Sequence, residues 1–274
     1  MARHSRSDTP PAAARSGALC GWEVLVLRPG ATRAPLLRVL RRAGATPVAL
    51  PTLRLLAAEH PDAANAALAR ALQAPWVLFT SPAAVAFAQR LPAWRPPPAG
   101  TAIALGSGTA QALRRAGSHG ALQAARADSE GILALPLLQS LRELGLVTAP
   151  GGRGLIASTL AARGVQVLRA DVYRRLPPRF DARHRALLRA LLASAAPRAL
   201  LHSSSEALHN LLTGLAPEAP QLLPQLLVVA ASERLRESAR AAGAARVLVS
   251  GAPTPQALVA TLAAAADAAP GAIR

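Results

Sequence analysis

The chain repeats itself at an interval of 121 to 126 residues, and no other feature constrains its fold so tightly. LVLRPG at 25–30 aligns with LVTAPG at 146–151, the Thr80-Ser81 pair with Ser203-Ser204, and 106–117 with 232–243. Three motif pairs in one order at nearly constant offset mark a duplication, so two similar lobes are expected. At 274 residues the chain is long enough for two cores.

Each copy alternates short β-rich runs with helical segments. Strands are expected at 22–27, 76–79, 101–105, 144–148, 198–202 and 226–230, each leading through a small or polar turn into an amphipathic helix. In the first such helix Leu36, Val39, Leu40 and Ala43 recur at i, i+3, i+4 and i+7, a stripe able to cover a sheet face. It closes on Arg41-Arg42-Ala43-Gly44, and comparable endings return at 114–117, 161–164 and 240–243. Cations suit the negative end of a helix and glycine the left-handed cap. Strand and helix in alternation predict parallel sheets, hence an α/β chain of two doubly wound domains.

Apolar residues make up 51% of the chain and charged residues 16%, which excludes wholesale disorder. No apolar run reaches the roughly 18 residues of a membrane-spanning helix, so no membrane is expected. All 31 basic residues are arginine, and the net charge of +17 attracts anions without choosing among nucleic acid, phosphates and polycarboxylates. The single cysteine, Cys20, excludes an internal disulfide and fits a reducing compartment, and no Cys/His spacing suggests zinc. Residues 1–21 lack the apolar core of a secretory signal and are set aside as a disordered leader, which leaves the cytoplasm as the expected location.

In open parallel sheets ligands bind beyond the carboxyl ends of the strands, where free backbone N–H groups meet anions. The turns there are Arg28-Pro29-Gly30, Thr80-Ser81-Pro82, Gly106-Ser107-Gly108-Thr109, Gly151-Gly152-Arg153, Ser203-Ser204-Ser205 and Ser232-Glu233-Arg234. Singly, each reads as helix capping or a tight turn. Six together point to an anionic ligand. Gly106-Ser107-Gly108 lacks the spacing of a nucleophile elbow, no phosphate loop is present, and the glycine cluster has no acidic residue placed for a dinucleotide. No metal, nucleotide or flavin is therefore expected. His202, at a strand end, reads as a packing or capping histidine. Aromatic residues are 3% of the chain, too few to stack single-stranded nucleic acid, and the one tyrosine, Tyr173, precedes Arg174-Arg175 and a Pro177-Pro178 pair. Its ring could simply cover a linker, or its hydroxyl could serve a ligand.

Over 22–265 the residues resemble the uroporphyrinogen-III synthase family. The likeness lies in VLVLRP, VLFTSPAAV, AIALGSGTAQALRRAG, the stretch Asp128-Ser129-Glu130-Gly131, the Gly152-Arg153 turn, RGVQVLRADVYRR, ALLHSSSEAL and the closing Pro253-Thr254-Pro255. It implies a bilobal fold in which the chain starts in one domain, crosses to build the second and returns. Domain 1 would be 22–50 plus 178–268, domain 2 would be 57–169, and the linkers 51–56 and 170–177.

The resemblance also implies a cofactor-free lyase that closes hydroxymethylbilane, a linear tetrapyrrole with eight carboxylates, into uroporphyrinogen III. Tyr173 and Thr109 would be the catalytic residues. Arg28, Pro29, Thr80, Ser81, Gly106, Ser107, Gly108, Gly152, Arg153, Ser203, Ser204 and Ser232 would bind substrate. Leu235 stands where many relatives keep a second threonine, and Ser232 could supply that hydroxyl. A monomer with a small-molecule substrate and no nucleic acid is expected. A non-catalytic anion- or tetrapyrrole-binding protein, or a nucleic-acid-binding protein, would share the fold or the charge.

Overall fold

In the computed structural model the described residues are 17–124, 126, 128–151 and 154–268. The six apolar runs are strands, and runs such as Val77-Leu78-Phe79 are buried at every position, as parallel strands covered on both faces must be. In chain order the strands are β1 (Glu23–Val26), β2 (Thr46–Ala49), β3 (Arg54–Ala57), β4 (Val77–Phe79), β5 (Ala102–Ala104), β6 (Leu122–Gln123), β7 (Glu143–Thr148), β8 (Gln166–Asp171), β9 (Tyr173–Leu176), β10 (Arg198–His202), β11 (Leu227–Ala230) and β12 (Arg246–Val249). One five-stranded sheet has the order β12-β11-β10-β1-β2 and the other β6-β5-β4-β7-β8, with every ladder parallel. β3 and β9 form an antiparallel pair that sets Arg54 opposite Leu176 and Ala57 opposite Tyr173.

The described residues divide into two compact units, 17–52 with 178–268, and 53–177. The stretches read as linkers, 51–56 and 170–177, thus carry β3, the end of β8 and β9, and the β3–β9 ribbon belongs wholly to the second unit.

The duplication is visible in the sheets. β1 corresponds to β7, β4 to β10 and β5 to β11, and in each sheet the corresponding strands hold the same places. The copies exchange halves, however: β1 of the first pairs with β10 of the second, while β4 of the first pairs with β7 of the second. Each unit therefore contains chain from both copies.

Helices cover both faces of each sheet because side chains alternate along a strand. In the second unit Val77 and Phe79 join Leu68, Val85 and Leu113 on one face, whereas Leu78 joins Ile103, Ile132, Leu144 and Leu160 on the other. In the first unit Val24, Val26, Leu201 and Val229 pack beneath Leu36, Leu40, Leu258 and Leu262. Gly44, Gly117, Gly164 and Gly243 follow their helices at φ between +78° and +103°, the left-handed cap expected of them.

The fold begins earlier than residue 22. Leu19 is fully buried in the first core and its N–H donates to the Ala43 carbonyl at 2.9 Å, because Leu19 and Trp22 flank a turn that folds both inward. Residues 17–21 are therefore part of the fold, not of a disordered leader, and 1–16 lie outside the described residues. Among the described residues no helix is long and apolar enough to cross a membrane.

Candidate active site

The carboxyl edge of the second unit's sheet gathers the polar turns after β4, β5 and β7. A cavity of about 220 Å³ opens there, lined by Thr80, Ser81, Thr148, Arg169, Tyr173 and Arg175 among others. β4 ends at Phe79, and the next two residues turn into the helix Pro82–Ala88. Ser81 caps that helix, its Oγ accepting the Ala84 N–H at 3.0 Å. The same Oγ is 3.1 Å from the Tyr173 hydroxyl. Thr80 Oγ1 donates to Thr148 Oγ1 at 2.8 Å, tying the ends of β4 and β7.

Tyr173, the first residue of β9, is 4% exposed, and its ring stacks on Phe87 with centroids 5.3 Å apart and planes 14° apart. The Arg90 guanidinium covers Phe87 at 4.8 Å. The ring is thus held by core packing, and Tyr173 lines the cavity with its hydroxyl beside Ser81.

Two arginines add positive charge to this cavity. Arg169 pairs with Asp171 and donates to the Ala149 carbonyl, and Arg175 donates to the Pro150 carbonyl. These cations, with Thr148 and Ser129, were missed by sequence reasoning, although RADVYRR and the Asp128-Ser129 stretch had carried the family likeness. An arginine is a weak signal in a chain whose 31 basic residues are all arginine.

Thr109 is 3% exposed in the first turn of the helix Ser107–Arg115 and does not line the cavity. Gly106 is that helix's N-cap, and Ser107 and Gly108 lie in its first turn. Gly152 and Arg153 lie outside the described residues.

The first unit presents its own edge. Arg28, just past β1, donates from Nε to Ser203 Oγ at 3.0 Å. Among the described residues no carboxylate pairs with it, and burial pushes its guanidinium below the ordinary arginine value. Pro29 is the N-cap of the helix Gly30–Arg42. Ser204 caps the helix Ser205–Gly214 through Ala207 N–H at 3.2 Å, and Ser232 caps Glu233–Ala241 through Leu235 N–H at 3.4 Å. Leu235 itself is 4% exposed in the core. Arg234 Nη1 reaches Ser205 Oγ at 3.5 Å.

Under this edge lies His202, fully buried with neither ring nitrogen hydrogen-bonded. Burial first, and then the Arg234 charge, lower its pKa to about 4. It packs as a neutral ring, in the place that Phe79 holds in the other copy. Among the described residues no group of three or more His, Cys, Asp or Glu side chains is placed to hold a metal ion.

The second unit's edge offers two cations, a capped helix start and one buried phenol, a combination suited to an anionic ligand that also needs a hydrogen-bond donor. The first unit's edge offers Arg28, Arg234 and two capped helix starts. The family model of uroporphyrinogen-III synthase HemD matches residues 34–260. Among solved structures, a mutant uroporphyrinogen III synthase from the extremely thermophilic bacterium Thermus thermophilus shares 22% identity over 90% of this chain and 99% of its own, with a TM-score of 0.59. Uroporphyrinogen-III synthetase from Helicobacter pylori shares 13% identity over 89% of this chain and 98% of its own, with a TM-score of 0.56. Both likenesses establish a common bilobal α/β fold.

Proposed function

We propose a division of labour among these residues from one premise: this chain belongs to the uroporphyrinogen-III synthase family and is a cyclising lyase. Hydroxymethylbilane loses its terminal hydroxyl as water, its last ring is inverted through a spiro intermediate, and the macrocycle closes as uroporphyrinogen III. Unassisted closure gives the uninverted type I isomer. The protein's main task is accordingly to hold a flexible chain in one geometry, which is catalysis by orientation.

The observation that carries the assignment is the buried phenol of Tyr173 opening on a cavity that also holds Arg169 and Arg175. In this reading the Tyr173 hydroxyl donates to the departing hydroxyl, helping it leave as water. Water loss creates a cationic azafulvene, which fixed dipoles stabilise better than mobile solvent does. Arg28 and the backbone of the turns that carry Pro29, Thr80, Gly106, Ser107, Gly108, Gly152, Arg153, Ser203, Ser204 and Ser232 hold carboxylates, while the Ser81 hydroxyl stays with Tyr173. Thr109 is an auxiliary hydroxyl, and its loss costs less than that of Tyr173. Catalysis by a monomer in the cytoplasm, without cofactor or nucleic acid, completes the proposal.

The test supplies the bilane in chelator-containing buffer, oxidises the products and separates type III from type I. Spontaneous closure in the same tube is the control. A type III excess that rises with protein supports the proposal, and a type I excess unchanged by protein overturns it in favour of binding alone. Steep salt-dependent binding to DNA or RNA would instead favour a nucleic-acid role. Sedimentation at working concentration tests the monomer.

A further inference from the structure

We infer that Ser81 is a positioning residue for Tyr173, fixing which way the phenolic hydrogen points. The inference rests on the reading of Tyr173 as hydrogen-bond donor. A serine hydroxyl has one hydrogen and two lone pairs. One lone pair of Ser81 is taken by the Ala84 N–H at 3.0 Å, and the only other partner among the described residues is the Tyr173 oxygen at 3.1 Å. The tyrosine ring is pinned by Phe87, with Val85 and Leu113 in the same core, so the torsion about its C–O bond is the freedom that remains.

Two hydrogen arrangements are open to the pair. If Tyr173 donates to Ser81, the phenolic hydrogen is spent and the serine hydrogen faces the cavity. If Ser81 donates to Tyr173, the phenolic hydrogen is delivered to the cavity. A phenol is the more acidic hydroxyl and, left alone, would donate to the serine. Two things turn the pair to the second arrangement: the Ala84 N–H, because a hydroxyl that accepts a hydrogen bond becomes a stronger donor, and a substrate acceptor in the cavity that takes the phenolic hydrogen. The result is a relay from Ala84 N–H through Ser81 and Tyr173 to an acceptor in the cavity. Thr80 cannot replace Ser81, since its own hydroxyl donates to Thr148. The other copy lacks the device: Ser204 caps its helix in the same way, but Thr52, 121 residues before Tyr173, sends its hydroxyl to the Ala207 carbonyl at 2.7 Å.

The test is a double-mutant cycle on the full chain. Ser81→Gly removes the hydroxyl while glycine remains an acceptable N-cap. It should lower kcat for type III formation about 3- to 10-fold, the range of one hydrogen bond, at unchanged KM. In the Tyr173→Phe background the same substitution should leave kcat unchanged, and Ser81→Thr should restore the parent value. The chain has a single tyrosine, so the tyrosine Fermi doublet of its Raman spectrum reports Tyr173 alone. It should show an accepting phenol oxygen in the parent and lose that signature in Ser81→Gly.

Equal kcat losses in both backgrounds, a rise in KM alone, or an unchanged doublet would overturn the inference. Parent-like kcat in Tyr173→Phe would overturn it together with the role of Tyr173. A parent protein that forms no type III excess defeats the functional reading instead, and the Raman arm then still decides which oxygen donates.

Discussion

Arg28 Nε and Ser203 Oγ, 175 residues apart in sequence, lie 3.0 Å apart at adjacent strand ends. The bond holds one corner of the guanidinium and leaves its two Nη groups without a partner among the described residues. A fork fixed at its base in this way suits one carboxylate, at little further entropic cost.

Arg28→Lys keeps the charge and loses the fork. KM for the bilane should rise roughly 3- to 10-fold with kcat little changed, the pattern of lost ground-state binding. Raising ionic strength should raise the parent's KM through screening while leaving the type III share of product intact. A fall in kcat at constant KM would place Arg28 in the chemical step.

Tyr173→Phe retains the stack on Phe87 and removes only the hydroxyl. Turnover should fall about 10- to 100-fold, with the melting temperature close to the parent's. Thr109→Ala should cost less turnover, because Thr109 lies outside the cavity wall. Steady-state assays and thermal melts of the two variants check both statements.

His202 makes stability depend on pH. Its folded pKa of about 4 lies below the ordinary 6.5, so between these values the unfolded chain binds more protons than the folded one. Stability is full above pH 6.5 and falls as pH drops towards 4, by about 3 kcal/mol. His202→Phe, which copies Phe79 in the duplicate position, removes two unbonded ring nitrogens. It should raise the melting temperature and flatten its decline over that window. Parallel pH profiles of parent and variant would refute the assignment.

Gly145 in β7 has no room for a side chain, since a Cβ there would come within 2.0 Å of the Ala71 carbonyl oxygen. Gly145→Ala should destabilise the second unit by about 1–3 kcal/mol, the usual range for overpacking. Gly251→Ala, with nothing within 4 Å, is the matched control and should be neutral in urea unfolding.

Some of this was legible in the residues and some was not, for physical reasons. Central strands of parallel sheets are buried on both faces, so β1, β4, β5, β7, β10 and β11 stand out as unbroken apolar runs. β2 is an edge strand and tolerates Pro47, which argues against a strand when met in sequence. β3 and β9 pair only with each other, and their mixed burial and arginines resemble linker. At the candidate site the helix-capping serines announced themselves. The cavity's Arg169 and Arg175 did not, because their place depends on β8 pairing with β7 and on β9 pairing with β3. Thr109 illustrates the reverse, since a motif position alone does not say whether a hydroxyl faces a cavity or a core.

The exchange of halves between the two copies sets a timetable for synthesis. Translation at roughly 5–20 residues per second completes every strand of the second unit once β8 and β9 have emerged, whereas β1 and β2 must then wait for β10. Two parallel strands are too few to be stable alone, and the flank of β1 that β10 will cover stays open for roughly ten to thirty seconds. An unpaired strand edge is a template for the wrong partner. Newly made chains are therefore most exposed to aggregation and proteolysis late, with one unit finished and the other lacking its centre, and a substitution that weakens β10 lowers the yield of folded protein more than its effect on the finished molecule implies.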